Sequence, residues 1–140
     1  MKKAALIATL GALLLAAPAY AYVNVPMVSG GIGEGGRSAI EDLQKDFTLK
    51  AVFTGEGGIY LSEVNVRILD RAGNVVAENI TQGPMLLAGL PAGRYTLEAS
   101  VGNYSKRESF SIGRSGLKTL FVRFPVQDEN GGNYESYGTY

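Results

Sequence analysis

The 140-residue chain contains no cysteine, no histidine and no tryptophan. Without cysteine there is no disulfide, no thiolate nucleophile and no lipid-modified cysteine anchor. Without histidine, triads of the Ser-His-Asp or Cys-His kind cannot be assembled, and zinc or copper sites built on imidazole or thiolate are equally out of reach. An excess of one charge is also missing: 13 basic residues face 13 acidic ones, which gives no footprint for nucleic acid and no cluster for anionic lipid. The longest apolar run, Ala4 to Ala17, is 14 residues, short of the ~20 that span a bilayer. These absences leave no expected catalytic residue, no cofactor and no metal site.

What is present at the start is an export signal. Lys2 and Lys3 precede the apolar run, which ends at Pro18 and the small-residue site Ala19-Tyr20-Ala21; these are the three parts of a secretory signal peptide. Residues 1–21 are therefore expected to be removed, leaving 119 residues with 11 bases against 13 acids, a net charge of −2. That length suits one domain with a single core. The short alanine-rich signal with its lysine pair looks bacterial, so the expected location is periplasmic or secreted, with no stable membrane anchor after cleavage.

Residues 22–37 are glycine-rich and include Gly31-Ile32-Gly33-Glu34-Gly35-Gly36. This fits G-x-G-x-x-G formally, but a dinucleotide site needs a βαβ unit around it, and the remainder of the chain reads almost entirely as strand. A flexible leader is the expectation. Ser38-Ala39-Ile40-Glu41 fits a capping box and predicts a short helix over 38–46, with Ile40 and Leu43 on one face. From Phe47 the period becomes two. Leu49, Ala51 and Phe53 alternate with polar or small neighbours; so do Val64, Val66 and Ile68, then Tyr95, Leu97, Ala99 and Val101, and finally Leu120, Val122 and Phe124. Asp70-Arg71-Ala72-Gly73 predicts a hairpin built on a type I turn with Gly73 in a left-handed G1-bulge position. Leu90-Pro91-Ala92-Gly93 predicts a tight corner, with Pro91 fixing φ, Gly93 taking a positive φ and Tyr95 bonding nearby backbone as in a tyrosine corner. In all, about seven strands at intervals of roughly eight to twelve residues predict an all-β, antiparallel sandwich over 47–126. Residues 127–140 lose all period and read as a disordered Tyr/Gly/Asn-rich tail.

Val64-Asn65-Val66-Arg67-Ile68, Asp70-Arg71-Ala72-Gly73-Asn74 and Gly89-Leu90-Pro91-Ala92-Gly93-Arg94-Tyr95-Thr96-Leu97 resemble the carboxypeptidase regulatory-like domain over roughly residues 47–126. The resemblance implies a seven-stranded, transthyretin-like Greek-key sandwich. Small exported bacterial proteins built on this domain are similar in their leader and short helix. One departure is Thr81-Gln82, with Pro84 two residues on, where the family often carries Thr-Asp. The domain is not the peptidase in the proteins that carry it, so the resemblance implies binding or scaffolding and no hydrolysis. Transthyretin-like hydrolases that open a urate-derived ring depend on histidines and a C-terminal Tyr-Arg-Gly-Ser; this chain has no histidine and reaches residue 140 as Tyr-Gly-Thr-Tyr.

The function expected is thus a non-catalytic binding or interaction module of the cell envelope, its partner an unidentified envelope protein or glycan and not nucleic acid. Its ligand and its oligomeric state are not legible in the sequence. A carbohydrate module using exposed tyrosines is the alternative; an enzyme working with carboxylates alone comes third, with Glu41-Asp42 or Asp128-Glu129 as its acid pair. Candidate ligand contacts are Tyr60, Arg94 and Tyr104, and the structural corner is Leu90, Pro91, Gly93 and Tyr95.

Overall fold

A computed structural model of the chain describes residues 25–127. The expected signal peptide, the first residues of the leader and all but the first residue of the tail lie outside that range. Among the described residues the order is β1 (Met27–Gly30), helix α1 (Gly33–Leu43) closing in a 3-10 turn (Gln44–Asp46), β2 (Leu49–Thr54), β3 (Asn65–Asp70), β4 (Val75–Ile80), β5 (Met85–Ala88), β6 (Gly93–Val101), β7 (Tyr104–Ile112) and β8 (Lys118–Arg123). They form two four-stranded sheets, β1-β5-β2-β8 and β4-β3-β6-β7. All pairings are antiparallel except β2 with β8, which run parallel.

The two sheets pack face to face through the alternating apolar positions. Leu49, Ala51, Phe53, Leu86, Ala88, Leu120 and Val122 from the first meet Val66, Ile68, Leu97, Ala99, Phe110 and Ile112 from the second in one buried cluster. This is the expected β-sandwich, except that the β2–β8 pairing is parallel where all pairings were expected to be antiparallel. The strand count is eight, not seven, because β1 arises in the stretch read as a flexible leader. It pairs along its whole length with β5, Met27 opposite Ala88 and Gly30 opposite Met85.

The helix also differs from expectation. It begins at Gly33 after the extended Ile32, with no side-chain cap, so Ser38 lies in its second turn and caps nothing. The glycines there serve close approach. Gly31 has φ +94°, and a Cβ on Gly36 would sit 3.3 Å from the Gly31 backbone, so the first turns of α1 lie directly on the chain leaving β1. A β-α-β order therefore does exist, contrary to expectation. β1 and β2 are parallel, but β5 lies between them, which is not the adjacent-strand unit of a dinucleotide fold.

Helix α1 covers the outer face of the first sheet. Ile40 packs there with Val52, Met85 and Leu87, joined by the half-buried Val28, Phe47 and Tyr60. Val52, which alternation places outside, is thereby buried, and β5 is buried on both faces. The second sheet has no such cover among the described residues, and its outer face is open.

Candidate functional site

The open face is built by the outward positions of β3, β4, β6 and β7. Because side chains alternate across a strand, Val66 and Ile68 point into the core and leave Asn65 and Arg67 outside. The register then sets Arg67 opposite both Glu78 and Glu98, and Glu98 opposite Arg107. Four charges of alternating sign thus cross all four strands in one row. The Arg67–Glu78 separation is 3.6 Å, Arg67–Glu98 3.7 Å and Glu98–Arg107 3.5 Å.

Glu98 and Arg67 each have two opposite charges beside them, which makes the row a network. At this exposure it contributes little to stability, in the range of ~0–1 kcal/mol for a surface pair. What it does is set four long charged side chains of alternating sign side by side across the sheet. Ile80, Asn65, Ser100 and Ser105 form the neighbouring row by the same registers. Two shallow depressions lie here. One, of about 430 Å³, is lined in part by Glu98, Ser100, Ser105 and Lys106; the other, of about 440 Å³, in part by Glu78, Asn79 and Ile80. The surface presents donors, acceptors and charges of both signs on one exposed sheet face.

The residues nominated from the sequence are spread apart. Arg94 is the second residue of β6, opposite Ser111, while Tyr104 opens β7 opposite Val101, at the far end of the same hairpin. Seven residues of strand, about 23 Å, separate the two ends. Arg94 points to the ladder's side by strand parity; Tyr104 has the opposite parity and is 44% exposed at the rim. Tyr60 belongs to the other sheet, bridged to Thr54, and its ring lies 6.0 Å from the Arg37 guanidinium of α1. The three therefore do not make one site. Glu41 and Asp42 are both exposed on α1, and no group of three or more acidic side chains converges among the described residues.

Residues Gly89 to Ala92 connect β5 to β6. The Tyr95 hydroxyl donates to the Pro91 carbonyl at 2.7 Å, and its ring stacks on Phe110 with centroids 5.8 Å apart. Burial, aided by the nearby Asp70 charge, pushes the Tyr95 phenol pKa above its ordinary value. Leu90 is buried, and its N–H and C=O both lie 2.8 Å from the Thr48 hydroxyl, a partner the sequence reading did not foresee. Gly93 has φ +157°, positive as expected but near full extension.

The ladder residues Arg67, Glu78, Glu98 and Arg107 were also not foreseen. Their signal was charge at outward strand positions, which becomes a row only once register is known. No protein-family model and no curated protein matches the chain.

Proposed function

We propose that the chain is an exported, non-catalytic β-sandwich of the bacterial cell envelope that binds a macromolecular partner across the outer face of its second sheet. The observation that carries this reading is the Glu78–Arg67–Glu98–Arg107 row on an uncovered four-stranded face. Flat, polar, charge-paired surfaces of this kind suit recognition by complementary contact. Enclosed pockets lined mostly by apolar groups are what small molecules favour. The carboxypeptidase regulatory-like reading belongs with this proposal: β2 to β8 supply seven strands within residues 47–126, and the chain adds β1 and α1 to them. Export rests on the lysine pair, apolar run and Ala19-Tyr20-Ala21 site.

The carbohydrate alternative has less behind it, since Tyr60 and Tyr104 sit on different sheets and provide no shared stacking platform. For a carboxylate-only enzyme there is no group of three or more converging acidic side chains among the described residues; Glu41 and Asp42 are exposed on α1, and Asp128 and Glu129 lie outside the described residues. The test is affinity capture from envelope extract with the parent chain and with an Arg67→Ala/Arg107→Ala variant. A partner retained by the parent and lost by the variant is expected. Equal recovery by both, with the variant folded, would overturn the assignment to this face.

A further inference from the structure

Four strands bound the two sheets, β1 and β8 the first and β4 and β7 the second. Open edges are commonly blunted by shortness, by bulges or by charge. β1 has four residues, β4 meets β3 through a register shift between Ile68 and Leu69, and β7 carries Lys106, Arg107 and Glu108 in succession. The centre of β8 has none of these devices. It pairs with β2 from Lys118 to Arg123 without a shift, and between its two end cations lies Phe121, 71% exposed. The N–H of Lys118 donates to the Thr48 carbonyl and that of Phe124 to the Thr54 carbonyl, so the even-numbered residues turn their backbone groups to β2. Those of Thr119, Phe121 and Arg123 consequently point away from the sheet, and among the described residues no strand takes them up.

The arrangement of these groups matches a second copy of the same strand. The free residues are spaced evenly about Phe121, so a copy laid antiparallel with its two-fold axis there sets Phe121 opposite Phe121 and Thr119 of each chain opposite Arg123 of the other. Each pair exchanges both N–H···O bonds, and no outward group of Lys118–Arg123 is left over. Pro125, which has no N–H to give, falls opposite Leu117 beyond the ends of both strands and stops the ladder there. Side chains agree with this register. Thr119, Phe121 and Arg123 share one face by parity, so the two phenyl rings meet at the axis instead of facing water. No like charges stand directly opposite, since Arg123 faces Thr119 and holds Glu56 of its own chain at 3.0 Å. Such a contact closes at two copies, because each uses the same surface. Two rings of about 150–250 Å² each and one short ribbon fall short of the ~1,200 Å² of a standard interface, so the pair dissociates on dilution.

We propose that the chain self-associates as a two-fold dimer through antiparallel β8–β8 pairing centred on Phe121, which joins the first sheets of two copies into one. This surface is separate from the charged ladder, and its test does not depend on any other partner. Sedimentation equilibrium of the exported form, residues 22–140, over about 1 μM to 1 mM should show monomer converting to dimer. Phe121→Lys, a change at an exposed position, should weaken the dimer about tenfold or more while the circular dichroism spectrum stays that of the parent. Because the chain has no cysteine, register is read by disulfide formation. Oxidising a mixture of Thr119→Cys and Arg123→Cys chains should link them, since opposite residues lie about 5.5 Å apart between Cα atoms, within disulfide reach. Either variant alone should not link, because equivalent positions are offset by four residues, about 13 Å along the strands. A monomer throughout the series overturns the proposal, as does a dimer indifferent to Phe121→Lys or linked equally well by one variant alone. Protection of the Thr119, Phe121 and Arg123 amides that is independent of concentration and lost on truncation after Gln127 overturns it too, by assigning the edge to the chain's own last residues.

Discussion

Thr48→Val tests the corner that joins the two sheets. The substitution keeps volume, branching and strand preference and removes only the hydroxyl. That hydroxyl is the partner of both backbone groups of Leu90, at 2.8 Å each, and lies 3.4 Å from the Ala88 carbonyl. It prolongs the β2–β5 pairing past the last residue of β5, where the chain turns toward Pro91. A typical intramolecular hydrogen bond contributes ~0.5–1.5 kcal/mol net, and a buried group left unpaired costs ~1–3 kcal/mol. With Leu90 buried, the loss should be about 1–3 kcal/mol. For a domain of this size that is a fall in Tm of roughly 5–15 °C. Thermal unfolding followed by far-UV circular dichroism measures it. Pairing it with Tyr95→Phe, which removes the bond to Pro91 one residue further on, should give a non-additive double-mutant cycle, since both side chains hold one short loop. A Thr48→Val protein melting within about a degree of the parent would refute the claim that this hydroxyl anchors the corner.

Three further outcomes follow from the same geometry. Asp70 accepts from the Asn74 and Ala72 amides at 2.9 Å each; the Asn74 bond is the main reason its pKa lies below the ordinary carboxylate value. The stabilisation is present above the unfolded pKa of about 4 and lost as pH falls through the lower folded value, so pH-dependent melts should show the parent losing more Tm in acid than Asp70→Asn, which keeps an acceptor oxygen. Tyr95 has the opposite sign: its raised pKa gives stability complete below about pH 10 and lost as pH rises through the folded value, and Tyr95→Phe should flatten that alkaline slope while costing ~0.5–1.5 kcal/mol at neutral pH. Gly73 holds φ +89° in the β3–β4 hairpin, where a β-branched side chain is strained, so Gly73→Val should cost about 1–3 kcal/mol in urea denaturation; an unchanged midpoint would contradict it.

Where one face of a strand is buried, the alternation of the sequence carried through to the structure. Leu49, Ala51 and Phe53 turn inward as read, as do Val64, Val66 and Ile68, and the turn at Asp70–Gly73 closes with the Gly73 N–H donating to the Asp70 carbonyl. What alternation could not show is anything fixed by distant pairing. β1 is four residues of uniform partial burial, made a strand by β5 some 58 residues away, and its neighbouring glycines resemble those of a flexible segment until the backbone of Gly36 is seen against Gly31. Val52 and Leu87 are buried by a helix from elsewhere in the chain, which period two cannot anticipate. The ladder was hidden for the same reason: Arg67, Glu78, Glu98 and Arg107 are ordinary outward charges until the register aligns them. Tyr60, Arg94 and Tyr104 stand out by residue type, which says nothing about whether they meet.

The central claim, that the open face of the second sheet binds a partner, is tested most directly by site-specific photo-crosslinking in intact cells. A photoreactive residue replaces, one at a time, Glu78, Ser100 and Arg107 on that face, and Glu41, Lys45 and Thr119 on the opposite side of the sandwich. Binding across that face gives one discrete adduct from the first three positions and none of that mass from the second three. Adducts from both sides alike, or from the opposite side alone, would contradict it.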